Sequence, residues 1–276
     1  MTGELQQAVD YIRSKSDLKP GIGIVLGSGL GSFVDIIENK TKIPTPQIPH
    51  YPVSTVPGHE GYVILGTLQG IPLFIVQGRT HYYEGYTAGK ITFVIRIMAE
   101  SGIRLLIVTN AAGALNSRLK PGDLMLITDH INNMFCNPLT GPLRYGGLRF
   151  PDMSDPYSSK YHHLVEEIAL KNRVSLKRGV LYVSSGPSYE TAAEVRMIAK
   201  IGADAASMST VPEVIVAKQA GMDVIGISCI TNMGTGVSSK KLSHSEVTKI
   251  AEKVRIKFLK LIKGIINEIN RYYHNT

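Results

Sequence analysis

An α/β fold around a mixed β-sheet is what this sequence predicts, on three observations. Short β-branched runs with Gly-rich or polar ends recur at 21–26, 62–68, 71–77, 104–109, 123–128, 179–184 and 222–231, with helix-like segments at 87–101, 161–171, 190–201 and 211–220 between several of them. The runs IVLG, LLIVTN and VIGISCI are apolar without alternation, as strands covered on both faces are. YVILGTL and IPLFIVQ, joined across Gln69-Gly70, read instead as an antiparallel hairpin, which makes the sheet mixed.

Taken in order, the first strand ends on the glycine-rich turn GSGLG at 27–31. Residues 43–61 carry five prolines, which forbid a helix and any central strand, so a rigid surface loop able to carry a site is expected there. The hairpin at 62–77 delivers the polar, aromatic stretch VQGRTHYYEGY, and the strand at 104–109 runs into the small residues TNAAG. From about 132 to 156 the chain is rich in Asn, Pro and Gly and reads as a lid or an oligomer contact. Near the C-terminus, Lys240, Lys241, Lys249, Lys253, Lys257, Lys260 and Lys263 interleave with Val247, Ile250, Val254, Phe258, Leu261, Ile262 and Ile265, the pattern of a long amphipathic helix with solvated lysines. Neither repeat, linker nor low-complexity segment divides the chain, so residues 1–276 are expected to form one domain.

Composition narrows the classes. With 276 residues, 43% of them hydrophobic, and mean hydropathy +0.05, the chain suits a globule with a sizeable core. The first residues contain two acids and no leader-like apolar block, and no run approaches the roughly 18 apolar residues of a membrane span, so a cytoplasmic protein without membrane partners is expected. Net charge +8 raises the question of nucleic acid, but the lysines follow the amphipathic helix and no RNP-like motif occurs; no nucleic-acid partner is expected. Cys136 and Cys229 lack metal-ligand spacing and read as free thiols.

The motifs sit at strand ends, where open α/β sheets place ligand groups. Gly27, Gly29 and Gly31 let backbone N–H groups approach an anion and Ser28 adds a hydroxyl, although the same turn also suits a purely structural role. Ser32 stands where a dinucleotide fingerprint needs glycine, which argues against an oxidoreductase. Arg79 offers a planar fork for a dianion, the alternative being an ion pair with Glu84. Thr191 or Ser188 would cap a helix, with Glu190 in its first turn favoured by the dipole alone; Pro212 sets a second helix start, and Asn232 leaves a buried strand on an amide.

Seven motifs together carry more than any one: GSGLG at 27–31, VPGHEG at 56–61, GRTHYYEGY at 78–86, TNAAG at 109–113, GPSYET at 186–191, MSTVPE at 208–213 and ITN at 230–232. In this order and at these separations, from about residue 20 to His244, the chain resembles the trimeric purine nucleoside phosphorylases. The resemblance implies a mixed, barrel-like sheet surrounded by helices, a homotrimer, and reversible phosphorolysis of purine nucleosides in salvage. Inorganic phosphate is then a co-substrate, with no metal or other cofactor. It implies that Ser28, His59, Arg79, Thr80, His81, the backbone of Ala111, and Ser209 hold phosphate. Tyr83 and Met208 would flank the sugar, His244 would address the 5′-hydroxyl, and Ala112, Gly113, Tyr189, Glu190, Thr231 and Asn232 would surround the base. Asn232, Glu190 and His81 are the expected catalytic residues, and Phe135 is the candidate for an aromatic side chain crossing from a neighbouring subunit.

The chemistry of these types agrees. Cleaving an N-glycosidic bond builds positive charge on the ribose and negative charge on the purine, so a phosphate dianion on one side and an amide donor on the other stabilise both. A carboxylate at Glu190 accepts from N1–H, and an amide at Asn232 donates to O6 or N7, which favours inosine and guanosine over adenosine. The nearest alternative is methylthioadenosine phosphorolysis, whose enzymes carry aspartate in the region of Asn232. Tyr189, where phenylalanine is frequent, and Ser207, where glycine is frequent, depart from the family pattern and bear on the shape of the base pocket.

Overall fold

A computed structural model describes residues 3–56, 61–237 and 244–274. Its strands are β1 (Ile22–Leu26), β2 (Glu38–Pro44), β3 (Tyr62–Leu68), β4 (Ile71–Gln77), β5 (Leu105–Ala114), β6 (Leu124–Asn133), β7 (Leu176–Ser184), β8 (Ala205–Ser207) and β9 (Asp223–Met233). They pair in the order β2-β3-β4-β1-β5-β8-β7-β6-β9, and a further β5–β9 pairing closes the last five into a barrel. Parallel pairs (β1 with β4 and β5, β5 with β9, β6 with β7) stand beside antiparallel ones (β3 with β2 and β4, β6 with β9), so the mixed, barrel-like sheet is what forms. Closure matters physically because it leaves no free edge around the segment where β5 and β9 cross the cavity.

Helices cover both faces. α1 (Gly3–Arg13), α2 (Ala88–Ile91), α3 (Phe93–Glu100) and α6 (Val211–Gln219) lie on one side, where Leu5, Val9, Phe93, Ile97 and Val214 join Val25, Phe74 and Val108 of the sheet. On the other side, α4 (His162–Lys171) and α7 (His244–His274) bury Val165, Ile168, Phe258, Leu261 and Ile265 against Ile24, Ile75 and Ile227. α5 (Ala192–Lys200) packs Val195 and Ile198 on Tyr182 and Ala206. Lys253, Lys257, Lys260 and Lys263 are exposed along α7, as its amphipathic pattern requires. Among the described residues, no helix is long and apolar enough to cross a membrane.

Four differences from the sequence reading have physical causes. α1 was not expected, although Leu5, Ala8, Val9 and Ile12 recur at helical spacing and are buried, nor was the polar edge strand β2 (ENKTKIP), which is mostly exposed and carries no strong periodic signal. β8 has three small residues and exists because it bridges β5 and β7. The segment 87–101 is broken at Thr92, whose hydroxyl donates to Ala88 O at 2.9 Å and interrupts the helix. β5, β6 and β9 run past the β-branched residues because barrel pairing, rather than propensity, holds their ends.

Candidate active site

A cavity of about 530 Å³ opens where β1, β4, β7, β8 and β9 end and where β5 passes through its second half. The wall begins at Gly27. A Cβ there would lie 2.6 Å from Asn110 Cα, so only glycine lets the turn after β1 press this closely on β5. Its N–H donates to Thr109 Oγ1 at 2.9 Å, and the Thr109 hydroxyl donates to Val25 O at 3.0 Å, which locks the Ser28 turn to the sheet.

Arg79 follows β4 and is buried. Its NH1 lies 3.1 Å from a Glu213 carboxylate oxygen and donates to Thr210 Oγ1 at 3.2 Å, and its NH2 donates to Thr109 O. Glu213, not Glu84, is therefore its acidic partner. Burial pulls the Arg79 pKa down and Glu213 and Tyr83 push it back; a guanidinium stays charged throughout. Thr210 also accepts from Asn110 Nδ2 at 2.9 Å, and this β-branched residue is held at φ +88°, a strained conformation fixed by the groups around it.

Glu84 organises the other side of the wall that holds Arg79. Its carboxylate accepts from His81 N–H at 2.6 Å, Thr55 N–H at 2.5 Å and the Thr55 hydroxyl at 2.9 Å, tying the proline-rich segment to the end of β4. Burial raises the Glu84 pKa, but hydrogen bonds from His81 and Thr55 outweigh it and hold the value at about 2, against an ordinary 4.5. A carboxylate depressed on folding contributes its full stability above the unfolded pKa and loses it as pH falls through the folded one. Urea unfolding should thus show wild-type stability declining between pH 4.5 and about 2 more steeply than that of Glu84→Gln; parallel curves would remove Glu84 from the acid response. Burial lowers the His81 pKa, with Glu84 opposing, so the imidazole is neutral at pH 7. It stacks on Tyr83 at 4.8 Å between ring centroids, and burial followed by Glu84 raises the Tyr83 phenol to about 12.

The opposite wall comes from β5 and β9. Gly113 pairs with Asn232 across a register shift, and a Cβ at Gly113 would lie 2.8 Å from Asn232 Nδ2; glycine leaves the amide room to lie across the strand. Asn232 Nδ2 donates to Met233 O at 3.2 Å while Oδ1 accepts from the Thr231 hydroxyl at 2.9 Å. Glu190 is not in the first turn of α5. Thr191 is the N-cap and Glu194 completes its capping box, so Glu190 precedes the helix, lines the cavity and accepts from the Ser184 hydroxyl at 3.0 Å. Gly186, at φ +62°, brings this loop onto Met208 and Tyr83: a Cβ would lie 2.5 Å from the Met208 sulfur.

Of the residues expected from sequence, the cavity gathers Ser28, Arg79, His81, Tyr83, Ala111, Ala112, Gly113, Tyr189, Glu190, Met208, Ser209, Thr231 and Asn232. Ser207, the departure from the family pattern, is also in its wall and donates to Ala111 O at 2.9 Å. Thr80 is buried behind the lining. Phe135 is 92% exposed and borders a different cavity, beside Tyr82 and Arg96. His59 lies outside the described residues; His244 opens α7, and its side chain lies outside them as well. Thr55, Asn110 and the Glu84 carboxylate were not expected here, though Glu84 and Asn110 lie inside motifs already singled out.

Comparison with known proteins agrees with this geometry. The phosphorylase superfamily model matches residues 21–267. Purine nucleoside phosphorylase 1 of Geobacillus stearothermophilus is 49% identical, covering 96% of this chain and 97% of the relative, and the Bos taurus purine nucleoside phosphorylase is 38% identical over 96% and 95%. A crystal structure of isoform 2 of the Schistosoma mansoni purine nucleoside phosphorylase superposes with TM-score 0.89 at 38% identity, covering 95% of each chain. With a family match over most of its length and a cavity built from that family's motifs, the chain belongs to the purine nucleoside phosphorylases of the phosphorylase superfamily.

Proposed function

We propose that the enzyme is a 6-oxopurine phosphorylase, converting inosine and guanosine, with their 2′-deoxy forms, to free base and pentose 1-phosphate in purine salvage. The observation that carries this is the orientation of Asn232. A carbonyl can only accept, so the amide atom facing Met233 O is the NH₂, and Thr231 occupies Oδ1. The amide thus retains one N–H for O6 or N7 of a bound purine, with the Glu190 carboxylate in the same wall for N1–H. Adenine would set its N1 acceptor against that carboxylate and its 6-amino donor against the amide, leaving buried polar groups mispaired.

Phosphate lies on the Ser28, Arg79, His81 and Ser209 side, near the Ala111 backbone, and attacks C1′ as the bond to the purine breaks. Neutral His81 donates one hydrogen bond, Arg79 supplies the charge, and Asn232 stabilises the negative charge that collects on the departing base. Met208 and Tyr83 bracket the sugar. Thr80 supports the phosphate wall from behind, and His59 and His244 keep the roles the resemblance implies. The only co-substrate is inorganic phosphate, and the enzyme works as a cytoplasmic homotrimer in which Phe135 reaches a neighbouring subunit.

Schistosoma purine nucleoside phosphorylases have been crystallised with inosine, guanosine and adenosine, so turnover rather than occupancy must discriminate. The test is release of free base from inosine, guanosine, adenosine and methylthioadenosine, with and without phosphate, by chelator-treated enzyme. Phosphate-dependent release from the two 6-oxopurine nucleosides, about a hundredfold or more above adenosine, is expected, from a preparation whose light-scattering mass is that of three chains. Equal release without phosphate would overturn the anion site, and preference for methylthioadenosine would overturn the reading of Asn232.

A further inference from the structure

We propose that Glu213 is a built-in counter-ion that competes with phosphate for Arg79 and so sets the phosphate affinity of the site. The proposal rests on the reading that Arg79 holds phosphate. Glu213 does not line the cavity; it lies behind Arg79, its side chain 5% exposed and a carboxylate oxygen 3.1 Å from NH1. It stands in the first turn of α6, where the helix N-terminus favours a negative charge. Tyr51, half-buried, Tyr157, buried, and His81 also feel its charge, but the two phenols are held protonated and the imidazole neutral, so Arg79 is the charged group in this set.

A carboxylate so placed has two opposed effects. In the empty site it compensates a buried guanidinium, which would otherwise be costly to keep out of water, and with Thr210 it aims NH1 while Thr109 O accepts from NH2. In the occupied site it is a like charge close behind the cation that the dianion needs, within a poorly solvated region where charges interact strongly. The same repulsion acts on pentose 1-phosphate, so the device loosens substrate phosphate and product together.

Glu213→Gln separates these effects, because the side-chain carbonyl still accepts from Arg79 while the charge is gone. The expected result is a phosphate KM and a ribose 1-phosphate Kd each lowered by about tenfold or more, with the inosine KM unchanged. A role confined to holding Arg79 in place would leave the phosphate KM unchanged or raise it, and either result overturns the proposal. The variant is purified in phosphate, which by the proposal replaces Glu213 as counter-ion; its melting temperature should therefore rise more with phosphate than wild type's, and an equal or smaller rise would count against the idea. The neutral pair Arg79→Gln/Glu213→Gln removes both charges of this ion pair together and should lose the phosphate response; retention of the Glu213→Gln response would place the effect elsewhere and sink the proposal. Arg79→Gln alone tells the two readings apart. An unchanged phosphate KM in that variant means the phosphate site is wrong, whereas a raised one beside an unaltered Glu213→Gln removes this inference only.

Discussion

Asn232→Ala is expected to lower kcat for inosine by about a hundred- to thousandfold, the usual cost of removing one preorganised donor from a site of developing charge. The change should fall on kcat more than on the nucleoside KM, because the amide N–H is worth most when the purine carries negative charge in the transition state. The fold should tolerate it: Asn232 is half-buried at the end of β9, and the Thr231 hydroxyl also reaches Ala112 O. Steady-state kinetics in saturating phosphate provide the measurement. A variant with wild-type kcat would take Asn232 out of the chemistry and leave it as a wall of the pocket.

Arg79→Gln is expected to raise the phosphate KM by about a hundred- to thousandfold, since it removes the charge and at least one charge-assisted hydrogen bond from a buried anion site. The nucleoside KM should move little, because the base and sugar walls come from β5, β7, β8 and β9. Glu213 is left buried without its cation at 3.1 Å, so the variant should also be less stable than wild type. Phosphate-dependent initial rates report the first effect and thermal unfolding the second. An unaltered phosphate KM would mean that the anion is bound elsewhere in the cavity.

Much of this site was legible because each motif lies within a few residues of a strand end, and strand ends converge in an α/β sheet whatever the details of packing. Arg79, Ala111 and Asn232 follow from that rule. Glu190 was legible by type but not by setting: only the capping box of Thr191 and Glu194 shows that it stands outside the helix and faces the cavity. Glu84 was visible in the same stretch as Arg79, yet its partners are His81 and Thr55, because the proline-rich segment folds back over the end of β4.

By itself the sequence determined the α/β pattern, the mixed hairpin, the amphipathic C-terminal helix and the chemical types gathered at the strand ends, all of which rest on local periodicity and short motifs. Tertiary structure alone decided the closure of β5 on β9, the three-residue strand β8, the break at Thr92 and the pairing of Arg79 with Glu213. The physical reason is the same in the first two and the last: a barrel pairing or a buried ion pair joins groups far apart along the chain, and its energy depends on which neighbours exclude water from it, a quantity no local window of residues contains.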